Sequence, residues 1–406
     1  MEKKPKSAVR TSLVVSACSL GIALFTPFQA SAQEITLRST TSSSINISGD
    51  LISFEDDVYT IDTSLGTVSL RAAGLECIGE ACPVIQASIV TGPVVWDVSL
   101  WGNRRAFTEH VEKLAELVDE KTGGQLTLNL SYGGLAPSRE NLDGIAAGDF
   151  EMAQFCAGYH PDKNPSITVL ELPFLGVSTL REELAVSRAV YEHPAVIADL
   201  ARWNATLLMP TPQPQYNIIG VGSPPTTIEA FEKMTIRATG GTGAAVQALG
   251  AASVNLPAPQ VNAALTNGEI NAVAFAPHAH MAFKTVDNAV WWTSNLNPGT
   301  ANCPIVVSKR ALDTLPASSR IALLSSVDEA LEHFIDNYNS STMAAWDTAL
   351  LDKQIIELTF SDEMISAISN EVAGPSTSKW IAEKSALGLP ARELYEIIPR
   401  TLRAMR

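Results

Sequence analysis

Histidine and basic residues are scarce in this sequence, and the common catalytic motifs are missing. Six of the 406 residues are histidine, and GxSxG, HExxH, a P-loop and a GxGxxG after a strand are all absent. Lys and Arg number 28 against 43 Asp and Glu, giving a formal net charge of −15. Phosphate binding needs clustered positive charge, so the sequence argues against nucleic acid as a partner. It also offers little support for an enzyme.

Long apolar runs are equally rare, and the one of note lies at the N-terminus. Leu13–Phe28 follows a positively charged stretch, and Ala30-Ser31-Ala32 is a small-residue cleavage site. This pattern predicts a secretion signal over residues 1–32, a mature chain from about Gln33, and a periplasmic location. A lipoprotein signal ending at Cys18 is the alternative, and a permanent membrane span is disfavoured because polar residues interrupt the run.

Four cysteines remain once the signal is removed. Cys77 and Cys82 flank a short loop with no histidine or second cysteine pair nearby, which favours a disulfide over a zinc site. Cys156 and Cys303 either pair with each other or stay as buried thiols, and the sequence leaves both alternatives open.

The residue pattern of the chain changes near residue 84. Residues 33–83 alternate apolar and polar positions between turn signals, which predicts a small β module. About 50 residues is too few for a secure core, so a Cys77–Cys82 link would be useful there. From Val94 onward strands alternate with helices, which predicts an α/β fold with parallel sheets. Pro316–Asp352 predicts one or two long helices, and further helices are expected around Asp362–Val372 and Ala391–Leu402.

Arg237 is the strongest candidate for a binding residue. It ends a predicted strand just before the glycine-rich stretch Gly240-Gly241-Thr242-Gly243. Ligands of α/β folds gather at the carboxyl ends of strands, and a guanidinium there can grip a carboxylate. The alternative is an exposed or ion-paired arginine. The glycine-rich stretch lacks the lysine of a phosphate loop. His278 and His280 cluster, but the further ligands of a metal site are missing.

Five stretches resemble the DctP-like solute-binding receptors of tripartite ATP-independent periplasmic (TRAP) transporters. They are residues 107–130, 133–152, 170–175, 231–237 and 264–272. The resemblance implies a two-lobed fold with a hinge and a long connecting helix. Lobe I would hold residues 84–216 with 303–342, and lobe II residues 217–302 with 343–406. It also implies that Arg237 pairs with the carboxylate of an organic acid, that the closed receptor docks on membrane permease subunits, and that no metal, cofactor or catalysis is involved.

The sequence departs from the family pattern at three places in the expected pocket. Asn217 stands near the usual place of a second arginine, Asn271-Ala272 replaces an Asp-Gly pair, and Ala276 replaces a pocket Asn or Trp. We therefore expect a less hydroxylated acid, either larger or with an apolar tail, in a more aromatic pocket. The predicted binding residues are Trp101, Gln154, Tyr216, Asn217, Arg237, Phe275 and His278. For each aromatic residue among them, core packing is the alternative.

Three rival functions remain at this point. A receptor that senses its ligand without transporting it has the same sequence features. An exported hydrolase would need a nucleophile, a base and an acid in one pocket, and no motif supplies them. An interaction with the cell envelope is a further possibility for residues 33–83.

Overall fold

The computed structural model describes residues 34–39, 46–55, 58–71, 75–79, 81–82, 92–133 and 135–406. The predicted secretion signal, including Cys18, lies outside the described residues. The chain divides into two compact units, Met1–Gln86 and Ala87–Arg406. Among the described residues, every helix falls short of the length or apolar character that a membrane crossing requires.

The first unit contains a five-stranded sheet. Its strands are β1 (Glu34–Ser39), β2 (Asn46–Glu55), β3 (Val58–Thr63), β4 (Gly66–Arg71) and β5 (Leu75–Ile78), in the spatial order β4-β3-β2-β1-β5. All four pairings are antiparallel. Alternate residues of β1 and β3 form the buried core, namely Ile35, Leu37, Tyr59 and Ile61. Cys77 and Cys82 are joined by a disulfide, which confirms that prediction.

The second unit contains two sheets. Its strands are β6 (Val94–Leu100), β7 (Leu126–Tyr132), β8 (Met152–Gln154), β9 (Ala205–Met209), β10 (Asn217–Gly220), β11 (Thr235–Arg237), β12 (Ala252–Val254), β13 (Ala272–Phe275), β14 (Trp291–Thr293), β15 (Ile305–Ser308) and β16 (Ile356–Leu358). The first sheet has the order β7-β6-β8-β15-β9, and the second has the order β12-β11-β13-β10-β14-β16. Each sheet with the helices packed on it forms one lobe of a two-lobed α/β fold.

Thirteen α-helices are present in the described part of the second unit. They are α1 (Glu109–Thr122), α2 (Asn141–Ala147), α3 (Leu180–Tyr191), α4 (Pro194–Ala201), α5 (Gly240–Ala248), α6 (Val261–Thr266), α7 (Pro277–Ala282), α8 (Lys309–Thr314), α9 (Ala317–Ser325), α10 (Val327–Asn337), α11 (Met343–Asp352), α12 (Asp362–Ala386) and α13 (Ala391–Met405). A π-helical segment, Tyr338–Thr342, joins α10 to α11, so the predicted long helical stretch is divided into several helices.

The sheets are mixed, and the expectation of purely parallel sheets is wrong for one strand in each. β15 is antiparallel to both of its neighbours in the first sheet, and β10 is antiparallel to both of its neighbours in the second. The remaining neighbours pair in parallel. β10, β15 and β16 are the strands by which the chain arrives from the other sheet, and of these three β16 alone pairs in parallel. A strand that enters in this way follows no helical crossover within its own sheet, so the usual reason for parallel pairing does not apply to it.

The C-terminal helices connect the two lobes. Ile368 and Val372, near the start of α12, are buried with the second sheet, whereas Trp380 is buried with the first. The 25 residues of α12 thus form the long connecting helix that the resemblance implied. α13 packs on α3 of the first lobe through an apolar stripe that includes Leu394 and Ile398. This packing differs from the predicted placement of residues 343–406 in lobe II, since the stripe of α13 is buried against α3.

Candidate ligand-binding site

A small enclosed cavity receives side chains from both lobes at the carboxyl ends of their strands. Trp101 directly follows β6, Arg237 ends β11 and Phe275 ends β13. The cavity volume is about 30 Å³, enough for about two water molecules. The principal side chains of its wall are Trp101, Arg105, Phe107, Tyr159, Glu171, Tyr216, Arg237, Phe275, His278 and Phe283. Such a crevice is where α/β folds bind ligands.

Arg237 is almost fully buried in this wall, with 2% of its surface exposed. Its Nε and Nη2 donate to the carbonyl of Leu256 at 3.0 Å, Nη1 donates to the carbonyl of Ala274 at 3.3 Å, and Nη2 donates to the Tyr159 hydroxyl at 3.2 Å. Its guanidinium carbon lies 4.3 Å from the centre of the Phe275 ring. All these partners are neutral, so the arginine is fixed in place while its positive charge stays uncompensated by any described carboxylate within 4.0 Å.

Arg105 is a second buried arginine in the same wall, and the sequence analysis missed it. Its guanidinium carbon lies 4.5 Å from the ring centres of Trp101 and Phe107 and 5.3 Å from that of Phe283. Nη1 donates to the carbonyls of Trp101 and Asn103 at 3.2 and 2.6 Å. Burial lowers the pKa of Arg105 to about 9, so it remains a cation at neutral pH.

Aromatic rings form most of the remaining wall. Trp101 contacts Phe107 and Tyr159, with ring centres 5.6 and 5.7 Å apart. His278 stacks on Phe107 at 5.5 Å, and its Nδ1 lies 2.9 Å from the Tyr338 hydroxyl. Burial holds the pKa of His278 well below its usual value, so the ring is neutral. A wall of this kind suits a flat or apolar ligand body.

Glu171 is the one acidic residue in the wall. Its Oε1 accepts hydrogen bonds from the backbone N–H groups of Gly158 and Asn302, both at 3.0 Å. Burial nevertheless raises the pKa of Glu171 to about 7. Around neutral pH this carboxyl group therefore exchanges between charged and neutral forms inside the cavity.

The glycine-rich stretch lets the two lobes approach closely. Gly241 lies in the first turn of α5, and a Cβ added there would lie 1.6 Å from the carbonyl oxygen of Glu171 in the first lobe. A Cβ added at Gly240 would lie 2.0 Å from Glu171 Oε2. The glycines are therefore explained by this contact between backbones, and no phosphate loop is needed.

A disulfide joins Cys156 and Cys303, which settles the alternative left open by the sequence. Both cysteines line the cavity, and Gln213 Nε2 lies 3.6 Å from Cys303 Sγ. The link ties the segment after β8 to the segment before β15, so it fixes the first-lobe side of the wall.

Five of the seven predicted binding residues meet at the cavity, and two lie apart from it. Trp101, Tyr216, Arg237, Phe275 and His278 line the wall. Gln154 is buried at the end of β8, where its Nε2 donates to Thr211 Oγ1 at 3.2 Å. Asn217 donates through Nδ2 to the carbonyl of Thr293 at 3.0 Å. These two side chains are engaged in packing between strands.

A signal for Arg105 exists in the sequence. The Trp101–Arg105 segment begins directly after the carboxyl end of β6, which is the criterion that selected Arg237. Two arginines are adjacent here, and the sequence alone does not show whether Arg104 or Arg105 points into the cavity. Arg104 is exposed and pairs with Glu112, whereas Arg105 is 8% exposed. In the described part of the chain, no group of three His, Cys, Asp or Glu side chains could hold a metal ion.

Two lobes enclosing a cavity that holds buried cations and aromatic rings define a ligand-binding protein of the two-lobed receptor class. The bacterial extracellular solute-binding protein family 7, also called DctP, matches this chain over residues 98–381. The chain belongs to that family. Its members are binding proteins that act outside the cytoplasm, and the family therefore gives the hydrolase alternative no support.

Solved structures with the same fold come from several bacteria. A TRAP solute-binding protein from a marine metagenome, specific for aromatic acids and complexed with metahydroxyphenylacetate, has a TM-score of 0.69 at 18% identity, covering 77% of this chain and 99% of its own. A Bordetella pertussis receptor that binds pyroglutamic acid has a TM-score of 0.66 at 18% identity, covering 75% and 99%. A Sulfitobacter protein with bound β-D-galacturonate has a TM-score of 0.66 at 15% identity, covering 75% and 99%. At these identities the likeness establishes the fold.

Proposed function

We propose that this protein captures a small organic acid in the periplasm and delivers it to the membrane permease of a TRAP transporter. The observation that carries the proposal is Arg237, a buried cation whose hydrogen-bond partners are all neutral and which faces a cavity between two lobes. A carboxylate is the counter-charge that suits a fixed guanidinium. Four of the five N–H donors of Arg237 are engaged, and the second N–H of Nη1 has no acceptor among the described residues, so it can form a charge-assisted hydrogen bond with a carboxylate.

The free-energy cost of burying the charge of Arg237 supports an anionic ligand. Removing an ion from water costs several kcal/mol in a protein interior, even after relaxation. The cation–π contact between Arg237 and Phe275 contributes about 2 kcal/mol of stabilisation when the pair is desolvated. A bound carboxylate supplies the missing compensation, so the site favours an acid over a neutral ligand of the same shape.

The cavity of about 30 Å³ is smaller than any organic acid. A ligand must therefore bind when the lobes are further apart or when wall side chains move. Several contacts join the lobes in the present state: the Tyr159 hydroxyl accepts from Arg237 Nη2 and from the N–H of Ala258, and Arg139 donates to Asn255. We infer an open state that admits the acid and a closed state that the acid stabilises by its differential affinity.

The chemistry of the wall favours an acid with an apolar or aromatic body. Trp101, Phe107, Phe275 and Phe283 offer ring surfaces, and polar side chains such as Gln213 and Thr239 lie beside them. The marine receptor with the same fold binds metahydroxyphenylacetate, which agrees with this preference. Sensing without transport is the alternative role, and the same binding site would serve it.

Calorimetric titration of the exported chain against benzoate, p-toluate, valerate, pyroglutamate and glucuronate tests the proposal. We expect the aromatic and aliphatic acids to bind more tightly than glucuronate. Arg237→Met should weaken every acid at least about thirtyfold, since truncating one partner of a buried charge pair costs about 2–5 kcal/mol. The control is Arg104→Met, which removes an exposed arginine outside the cavity. Unchanged affinities in Arg237→Met would overturn the carboxylate assignment.

Transport is tested separately from binding. Everted or reconstituted vesicles that contain the partner permease should accumulate the bound acid only when the receptor is added. Binding without receptor-dependent uptake would favour the sensing role.

A further inference from the structure

We propose that Glu171 takes up a proton when the organic acid binds, so that the receptor captures its ligand together with a proton. This inference rests on the proposed binding of an organic acid at Arg237. It deepens that proposal, because it gives the acidic residue of the wall a role in binding and makes the affinity of the cavity depend on pH.

Glu171 lies beside the ligand cavity at the place where the two lobes meet. It lines that cavity and also an outer groove between α5 and α12. The charged residues of the groove are Lys379, Glu383 and Lys384, and none of them is buried. Glu171 itself is buried, with 2% of its surface exposed. A bound acid and the carboxyl group of Glu171 would therefore share one small enclosure.

The two carboxyl oxygens of Glu171 have different surroundings. Oε1 accepts hydrogen bonds from the backbone N–H groups of Gly158 and Asn302. Oε2 accepts none in the described part of the chain and lies against two glycines. An added Cβ would come within 2.7 Å of Oε2 at Gly158 and within 2.0 Å at Gly240. Oε2 is therefore the oxygen that can carry a proton while Oε1 stays in place as an acceptor.

The approach of the lobes removes water from Oε2. Gly158 belongs to the first lobe, whereas Gly240 begins α5 of the second. Separating the lobes would withdraw Gly240 and return Oε2 to water. Burial disfavours the charged form of a carboxyl group, and it raises the pKa of Glu171 to about 7 in the present state. A ligand that stabilises the closed state therefore also favours protonation of Glu171.

The charge of the ligand acts in the same direction. Burial is the largest cause of the raised pKa of Glu171, and no described cation forms an ion pair with its carboxyl group. Arg237 is a cation of the same wall, and a bound carboxylate would neutralise it. Glu171 would then lose the positive charge across the cavity that favours its ionised form.

Glu183 of α3 is a second buried acid and an alternative acceptor of the proton. Burial, followed by the charge of Glu171, raises the pKa of Glu183 to about 7. Its Oε1 lies 3.3 Å from Ser187 Oγ, and Glu183 is not part of the cavity wall. A bound acid should therefore act on Glu171 more strongly than on Glu183.

Other titratable side chains surround Glu171. Those whose pKa values lie away from neutral pH in their buried positions are Arg105, His160, Tyr191, Tyr216 and His278. The Tyr159 hydroxyl accepts hydrogen bonds from Arg237 Nη2 and from the N–H of Ala258. Glu171 and Glu183 are thus the two buried neighbours whose charge changes near neutral pH, and the experiment must separate them.

Calorimetric titration in buffers of different ionisation enthalpy counts the protons that are taken up on binding. The ligand is the tightest-binding of the five acids above, all of which are ionised in the range used. We expect the wild type to take up at least about half a proton per bound acid at pH 7, because Glu171 becomes neutral in the complex. For the same reason the affinity should fall at least about tenfold from pH 6 to pH 8.

Glu171→Gln has the shape of the neutral acid but cannot titrate. It should abolish the proton uptake and keep the affinity constant within about twofold from pH 6 to pH 8. Glu183→Gln should retain the proton uptake. Glu120→Gln, at an exposed position of α1, is the matched control and should behave as the wild type does.

The outcomes distinguish this inference from the proposed function. Binding that needs Arg237 but takes up no proton in the wild type would overturn the role of Glu171 alone, and this result does not depend on any Glu171 variant. Proton uptake that persists in Glu171→Gln would also overturn it, because the proton would then reside on Glu183 or on the ring of His278. Acid binding that does not need Arg237 would overturn the proposed carboxylate site and, with it, this inference.

Discussion

The two buried arginines of the cavity are held in different ways. Arg237 has its donors engaged by two backbone carbonyls and a tyrosine hydroxyl, whereas Arg105 has a buried Nε without a partner among the described residues. Arg237 is thus positioned before any ligand arrives, and preorganisation of this kind increases affinity. Arg105 is held instead by the rings of Trp101, Phe107 and Phe283 and by two backbone carbonyls. The comparison supports the proposal that Arg237 is the residue that binds the carboxylate.

The strongest expected effect concerns the acidic residue that shares the wall with both arginines. The pKa of Glu171 is about 7 in the folded protein, above its ordinary value of 4.5, because burial disfavours the carboxylate. A raised carboxyl pKa means that the folded state binds more protons than the unfolded state between these values. Stability is therefore lost as pH rises through this window. Through this ionisation the wild type should lose about 3 kcal/mol of its free energy of unfolding between pH 5 and pH 8. Glu171→Gln should not show that loss.

Urea unfolding of wild type and Glu171→Gln at several pH values measures this difference. Burial likewise raises the pKa of Glu183 to about 7, so only the difference between the two proteins isolates Glu171. Glu120→Gln, at an exposed position of α1, is the matched control. A constant difference across the pH range would show that Glu171 is ionised throughout and would refute the raised pKa.

A smaller effect is expected from preventing the approach of the lobes that carry the two arginines. Gly241→Ala would place a Cβ 1.6 Å from the Glu171 carbonyl oxygen, so the closed state must shift. Overpacking costs about 1–3 kcal/mol, which corresponds to an affinity loss of about five- to 150-fold. Calorimetry should show this loss for every acid that the wild type binds.

Gly374→Ala is the control for this substitution. An added Cβ at Gly374 in α12 meets no atom within 4 Å, so ligand affinity should not change. Wild-type affinity in Gly241→Ala would refute the idea that the ligand stabilises this contact between lobes.

The smallest effect is expected from removing one hydrogen-bond acceptor of Arg237, so that this arginine, like Arg105, has a buried donor without a partner. Tyr159→Phe removes the hydroxyl that accepts from Arg237 Nη2 and from the N–H of Ala258. A buried donor left without a partner costs about 1–3 kcal/mol, so unfolding should require less urea. If that hydroxyl fixes Arg237, acid affinity should also fall, about three- to tenfold. An affinity that rises instead would mean that the tyrosine competes with the ligand for the guanidinium.

Much of the fold followed from the sequence because its signals are local. The helices expected around Asp362–Val372 and Ala391–Leu402 were predicted from the residue pattern, and the structure confirms both. The direction of β10 and β15 could not be predicted in this way, since it depends on where each strand enters its sheet, which is a tertiary feature. The packing of α13 on α3 was missed for a similar reason, because an apolar stripe does not identify its partner.

The binding site was only partly predicted, because position along a strand is a local signal whereas side-chain direction is not. Position at the end of a strand identified Arg237, and the departures from the family pattern led to the expectation of an aromatic wall. Gln154 also ends a strand, but its side chain is engaged by Thr211 within the first sheet. The choice between Arg104 and Arg105 depends on the backbone turn after Leu100, which places one beside Glu112 and the other among three rings. Side-chain direction in a loop is set by tertiary contacts and cannot be obtained from residue order.

A crystal structure of the complex with the tightest-binding acid tests the central claim most directly. We predict that its carboxylate lies on the guanidinium of Arg237, with the ligand body against Phe275 and Trp101. A complex in which Arg237 makes no contact with a carboxylate would contradict the account.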